Sequence, residues 1–307
     1  MDPEDQAALA ALEVRLRTIL PEEYQDTYDE VEPVSMGSAG LKFGSDGKVE
    51  WDEIWDHFCD LAMAGGPPHK GKLLEPGPMD EIHAQPERYR QVVAEICRGV
   101  RMVTELAVEP APVPGWVRMS CGDDAMAAWL VRAIVMENIS VHLEGATISL
   151  PAGPRYRIEK EIKNVVTVMA KTSHYWLGHM WSTQQEEAAR LFAELEAESP
   201  LMQPALAGYG YCAESHRRLS GIMGEAIRGT TGLGPSDCEY AGWLGVECPD
   251  VHAAIWMMRA LVVANVLSRR EGTVLFLPVN PSSDPKGEIV VRAFVRIYGF
   301  AAARNVL

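Results

Sequence analysis

The sequence lacks any run of about 18 apolar residues, so no membrane-spanning helix and no membrane partner are expected. It opens on the acidic stretch MDPEDQAALA, without the basic-then-apolar order of a secretory signal, and a cytoplasmic location is expected. The six cysteines (Cys59, Cys97, Cys121, Cys212, Cys238 and Cys248) contain no Cys-x-x-Cys pair. That excludes a structural zinc site of ordinary spacing. A chain of 307 residues has interior enough to fold without disulfides, and reduced thiols are expected. The phosphate-cradling order G-x-x-x-x-G-K-[ST] is missing, and so is any basic stripe with interleaved aromatics. Nucleic acid is therefore not an expected partner.

Positive charge is scarce and unevenly placed. The net charge is −15, and residues 1–60 alone hold 16 Asp/Glu against 4 Lys/Arg. The chain has only eight lysines, and Lys70, Lys72, Lys160, Lys163 and Lys171 fall in two short stretches. Residues 155–174 balance at +3. A cationic island in an acidic protein suits an anionic ligand. The competing reading is a set of solvated charges that screen the acidic N-terminal segment.

An internal repeat is visible at an offset of 127. Gly115-Trp116…Cys121-Gly122-Asp123 aligns with Gly242-Trp243…Cys248-Pro249-Asp250, and the alignment runs without gaps from Glu87 to Val168. Over those 82 positions 23 are identical, including Trp129/Trp256, Arg132/Arg259, Asn138/Asn265 and Glu144-Gly145/Glu271-Gly272. Self-similarity of this kind is the mark of a repeated structural unit. The expected fold class is α+β, an internally duplicated pseudo-two-fold protein. Each repeat reads helix, strand, helix, strand, strand.

In the first copy, residues 87–106 carry helical apolar spacing that the Pro-rich stretch 109–115 ends. Residues 116–121 read as a strand, and Asp123 or Asp124 caps a helix through Ile139, with Asn138 at a left-handed C-cap. Residues 141–150 read as a strand region broken at Glu144-Gly145. Residues 161–172 read as a closing β-branched strand, and the second copy repeats this order. Residues 181–206 are expected to link the repeats (83–180 and 207–307), with a capped helix over 181–200. Residues 1–82 read as an acidic extension: a helix, a hairpin over 40–51 and a helix over 52–64 stopped by Gly65-Gly66-Pro67-Pro68.

Residues kept in both copies read as architecture: Asp123/Asp250 as N-caps, and Trp129/Arg132 with their equivalents as a stacked Arg–Trp pair at a repeat seam. Cys121 and Cys248 precede helix N-termini, where a thiol pKa falls, although small buried cysteines are commoner. Function is expected where the copies differ. Only the first has Lys163-Asn164…Lys171-Thr172-Ser173-His174-Tyr175-Trp176, and only the segment before it has Pro68-His69-Lys70-Gly71-Lys72. Lys163, Lys171, Lys70 and Lys72 would clamp carboxylate or phosphate groups. His174 or His69 is the acid/base candidate. Asn164 and Thr172 would orient the ligand, and Tyr175 and Trp176 would wall it. On a strand Lys163 and Lys171 share one face.

No metal is assigned. His174 and His179 are five residues apart, about 140° around an α-helix, and would converge only from a strand end and a following turn, with His69 or Cys121 as a third ligand. Nothing assigns a cofactor. The expected function is a cytoplasmic enzyme or cofactor-processing protein that binds an anionic small molecule, its reaction unassigned. The alternative is a non-catalytic accessory or scaffold protein that uses the same surface as a protein interface.

Overall fold

The computed structural model describes residues 3–25, 40–54 and 60–307. The protein is α+β: among the described residues it has nine α-helices and two four-stranded antiparallel sheets. The chain divides into two compact units. The N-proximal unit comprises the described residues of 21–23 and 30–185, and the C-proximal unit those of 1–20, 24–29 and 186–307. The N-terminal helix α1 (Pro3–Ile19) belongs to the C-proximal unit, where Arg15 meets Glu198 at 3.3 Å and Glu13 meets Arg304 at 2.9 Å.

In the N-proximal unit a turn at 44–47 is closed by an isolated Phe43–Val49 bridge, the described form of the expected hairpin. The helix expected over 52–64 appears as two 3₁₀ turns, Trp51–Glu53 and Ala62–Ala64; residues 55–59, with Cys59 and His57, lie outside the described residues. Gly65, at φ 97°, ends the second turn in a left-handed conformation that a side chain resists.

Helices α2 (Met79–Ala84) and α3 (Pro86–Thr104) follow. Pro86 opens α3, where its missing N–H costs nothing. Next come β1 (Ala107–Pro110), β2 (Trp116–Ser120), α4 (Asp124–Met136), β3 (His142–Glu144) and β4 (Thr147–Pro151). The sheet order is β1-β2-β4-β3. The Pro-rich stretch after α3 contains β1, where the sequence pattern suggests only a break. As an edge strand β1 tolerates Pro110, because a proline there forfeits no interior ladder bond. The break at Glu144-Gly145 is the turn between β3 and β4.

Asp123 caps α4, its Oδ1 accepting from Met126 N at 2.7 Å. Nearly every residue of α4 is buried, as its all-round apolar sequence requires. Each buried Leu, Ile or Val there contributes about 1.5–3 kcal/mol, so Ile134→Ala alone costs about 2–5 kcal/mol.

Residues 161–172 are not a strand. They lie in a π turn (Ile158–Ile162) followed by α5 (Lys163–His174) and a second π turn (Tyr175–His179). The run of β-branched residues is misleading because intrinsic preference is worth only tenths of a kcal/mol per residue. Packing decides: α5 is buried on most of its surface against α3 and α4. The approach to α3 is close, since a Cβ at Gly99 would lie 2.7 Å from Val166 Cγ2. A short buried apolar run carries no periodicity that separates strand from helix.

The C-proximal unit continues from α6 (Ser182–Glu198) through α7 (Ala213–Thr231), β5 (Pro235–Tyr240), β6 (Trp243–Glu247), α8 (Val251–Val262), β7 (Arg269–Glu271), β8 (Val274–Pro278) and α9 (Glu288–Ala303). Its sheet order is β5-β6-β8-β7. The closing segment 288–303 is again a helix and not a strand, for the same reason. Each sheet-bearing region therefore runs helix, strand, strand, helix, strand, strand, helix.

Equivalent residues do equivalent work in the two units. Trp116 pairs with Pro151 and Trp243 with Pro278; Glu144 pairs with Thr147 and Glu271 with Val274. Asp250 caps α8 through Ala253 N at 2.8 Å. Asn138 (φ 59°) and Asn265 (φ 62°) both take the left-handed conformation. Their side-chain amides donate to Lys70 O at 2.9 Å and Ser199 O at 2.7 Å. Likewise Leu74 N donates to Asn138 O and Met202 N to Asn265 O, each at 2.8 Å.

Candidate functional site

The residues nominated by sequence gather in two places along α5: beside its body, and past its C-terminal end at the π turn.

Beside the body lies a buried ion pair. Lys171 Nζ sits 2.6 Å from Glu137 Oε1, and both side chains are wholly inaccessible. Lys171 also donates to the Asp60 carbonyl at 3.3 Å. Glu137 accepts from Ala62 N at 3.0 Å through Oε1 and from His69 N at 3.1 Å through Oε2. Two charges removed from water are costly unless each is hydrogen-bonded, and here the two spare carboxylate positions take backbone donors. The pair thereby ties residues 60–69 to the end of α4 and to the third turn of α5.

Tied in this way, the loop after Pro68 lies against α5. The half-buried His69 imidazole has its pKa driven well below the ordinary 6.5, first by burial and then by the ammonium groups of Lys171 and Lys163. Lys70 approaches Glu161 at 3.9 Å, and Arg157 binds the same carboxylate at 3.0 Å. Burial pushes the Glu161 pKa up, but hydrogen bonds from the Arg157 side chain and backbone outweigh it and hold the group at about 2. Asn164 is buried, and its Nδ2 has no hydrogen-bond partner among the described residues. Helical spacing puts Asn164 and Lys171, seven residues apart, on one face of α5.

The C-terminal end holds His174, Tyr175 and His179. The Nε2 atoms of His174 and His179 are 3.0 Å apart, and His179 Nδ1 lies 3.2 Å from Glu23 Oε2. The Tyr175 ring lies 4.9 Å from that of His179. Burial first, and then His179, lower the His174 pKa, against an opposing pull from Glu23.

His69, Lys70, Lys163 and Lys171 thus come together, and His174 with Tyr175 forms a second cluster. Thr172 is enclosed in the helix, its hydroxyl donating to Val168 O at 2.8 Å. Trp176 is buried against Trp129, ring centroids 5.6 Å apart. Lys72 is exposed.

Burial and then Asp123 push the Cys121 thiol up to about 12, opposite to the lowering expected before a helix N-terminus. Cys248 is pushed to about 12, by burial and then by Glu247 and Asp250. Neither offers a thiolate. The five described cysteines are free thiols.

Sequence reasoning missed Glu137, Glu161 and Glu23. Glu137 had a signal: it is a carboxylate closing a mostly apolar helix, and Ala264 stands 127 positions on.

A cavity of about 710 Å³ lies elsewhere, in the C-proximal unit, where Arg15, Arg292 and Arg296 surround Leu12, Ile297 and Phe300. None of the nominated residues borders it. It offers volume without a proton-transfer group, since the carboxylate that lines it, Glu198, is paired with Arg15. The groups suited to proton transfer gather at α5.

Among the described residues no helix is long and apolar enough to cross a membrane. No protein-family model, curated protein or solved structure matches the chain.

Proposed function

We propose that the protein is an enzyme or cofactor-processing protein that binds an anionic small molecule where the 66–72 loop meets α5. The observation that carries this reading is the tie that holds the His69 loop against α5 through Glu137 and Lys171, near the ammonium of Lys163, whose charge together with that of Lys171 and with burial lowers the imidazole pKa. An anion bound beside these ammonium groups would offset the charge that depresses the imidazole pKa and so restore the basicity that proton transfer needs. Lys163 and Lys70 supply attraction, and the buried amide of Asn164 supplies an unused donor. Lys171, committed to Glu137, is a positioning residue that holds the His69 loop. Free thiols support assignment to a reducing cytoplasm.

The test is a thermal-shift titration of the full chain with phosphate, citrate and small dicarboxylates. Stabilisation by at least one anion is expected, reduced in Lys163→Ala and in Asn164→Ala. His69→Gln should keep binding and lose any proton-transfer activity toward that anion. A chain that responds to no anion favours the protein-interface reading. That reading has its own support in exposed Leu177 and Trp181, 61% and 68% accessible, beyond the C-terminal end of α5.

The architecture we attribute to duplication and fusion of one helix–strand–strand–helix–strand–strand–helix unit. The support is the identical sheet order, the offset of 127 in the register of β2–β4 against β6–β8 and of β3–β4 against β7–β8, and the paired Asp and Asn roles; only the edge strand β5 departs from it, by a bulge between Pro235 and Glu239. On this reading the unit reaches back to Leu74 and Met202, whose backbone bonds to Asn138 and Asn265 match.

A further inference from the structure

In an α-helix, residues five apart point about 140° away from each other. That arithmetic argues against a metal at His174 and His179, and it fails here because the chain leaves the α-helix. From Tyr175 to His179 it makes a π turn, closed by the bond from Met180 N to Tyr175 O at 3.2 Å. The wider turn inserts one residue and brings positions five apart over one another. The two imidazoles meet with centroids 4.8 Å apart, planes at 68° and Nε2 atoms at 3.0 Å.

We propose that His174 and His179 bind a divalent transition ion through their Nε2 atoms. Imidazole–metal bonds are about 2.0–2.1 Å long, so two of them meeting at about 90–110° place their nitrogens about 2.8–3.4 Å apart. The separation of 3.0 Å lies within that span, so the bite needs no rearrangement of the π turn. Glu23 provides the outer support. Its carboxylate stands 3.2 Å from His179 Nδ1, which fixes the proton there and leaves the Nε2 lone pair directed at the site. Imidazole donors suit Zn²⁺, Co²⁺, Ni²⁺ or Cu²⁺ and disfavour Mg²⁺ and Ca²⁺. Among the described residues no third His, Cys, Asp or Glu completes a protein cage. The remaining coordination positions belong to water or to an exogenous anion, as in an open site and unlike a structural one. The competing arrangement is an imidazole–imidazole hydrogen bond sharing one proton, which requires no metal.

The experiment is titration of the metal-free full chain with Co²⁺, followed by its visible d–d absorption, with Zn²⁺ as competitor. A single ion should bind, and binding should be lost in His174→Ala and in His179→Ala. Glu23→Gln should weaken it about 10–100-fold, the usual effect of removing an outer-shell partner. His69→Gln and Lys163→Ala should bind Co²⁺ like the parent chain, so the outcome is independent of the anion site. Proton NMR of the parent chain gives a check that needs no variant: Co²⁺ should shift or broaden the imidazole resonances of His174 and His179 before those of the other histidines. Unchanged Co²⁺ affinity in the His174→Ala/His179→Ala double variant, or absence of binding to the parent chain, overturns the proposal and leaves the shared-proton pair.

Discussion

The Lys171–Glu137 pair offers the sharpest perturbation. Lys171→Met keeps the volume and removes the ammonium, leaving a carboxylate with no exposure and only the Ala62 and His69 amides to answer it. Breaking a buried pair from one side costs about 3–5 kcal/mol. For a unit of this size each kcal/mol moves the midpoint by about 2–4 °C, so the expected drop is about 6–20 °C. Glu137→Gln should also be costly, because it removes the counter-charge of the Lys171 ammonium and turns one acceptor oxygen into a donor facing a backbone amide. Lys171→Met/Glu137→Gln removes both charges and keeps an acceptor for one amide. It should recover part of the loss, so that the two single costs exceed the double cost. The assays are calorimetry, urea unfolding and hydrogen exchange at the Ala62 and His69 amides, which should lose protection first. If Lys171→Met lies within about 1 kcal/mol of the parent and the double variant equals the sum of the singles, the pair is not coupled as described.

The remaining expectations concern acid, caps and a second buried cation. Glu161 titrates near 2 in the folded state against an ordinary 4.5, so its contribution is complete above pH 4.5 and is lost as pH falls toward 2. Glu161→Gln should flatten that acid limb in a melting-temperature profile, and an unaltered limb would contradict the assignment. Asp123→Ala and Asp250→Ala should each cost about 1 kcal/mol in chemical unfolding, and a cost at one position alone would break the equivalence of the two caps. Arg269, fully buried 2.7 Å from Glu271 and lying over Phe276 at 3.9 Å, is the comparison case. Arg269→Met should destabilise the C-proximal unit by about 3–5 kcal/mol and leave anion-induced stabilisation intact.

Much of the framework is legible in the residues themselves. Caps, turns and the offset of 127 rest on local chemistry: an Asp before an apolar helix, an Asn at positive φ, a Glu-Gly between strands. The closing helices are not legible, because residues such as Val165, Val166 and Val168 are buried on a helix surface that presents no polar alternation. The strand β1 hides behind its own proline, at an edge where a proline does little harm. Around α5, lysine scarcity marks the helix whose lysines lie near His69 but not the division of labour along it. Whether a lysine faces a ligand or a buried glutamate depends on a partner 34 positions away, and Glu137 has no local mark beyond its apolar surroundings. The meeting of His174 and His179 depends on a π turn, for which the sequence offers no periodic signal.

Three of the buried charges differ between the two units. At the offset of 127, Glu137 stands opposite Ala264 and Lys171 opposite Tyr298, while Arg269 stands opposite His142. At these three positions the two units differ, whereas the buried Arg132 and Arg259 stand at matching positions. Burying an ion is rarely a gain in stability over a packed apolar residue, so some other demand must hold it in place. In the C-proximal unit Arg269 lies beneath Tyr240 and Phe276 and is bound to a carboxylate two residues away in its own strand. In the N-proximal unit the pair reaches across sequence to the Ala62 and His69 amides and the Asp60 carbonyl. A charge that fixes a loop backbone fixes what the loop carries, and this loop carries a histidine whose pKa is lowered by burial and by two nearby ammonium groups. On the function proposed above, the ion pair therefore holds the loop that carries His69, and its loss should disturb that loop first.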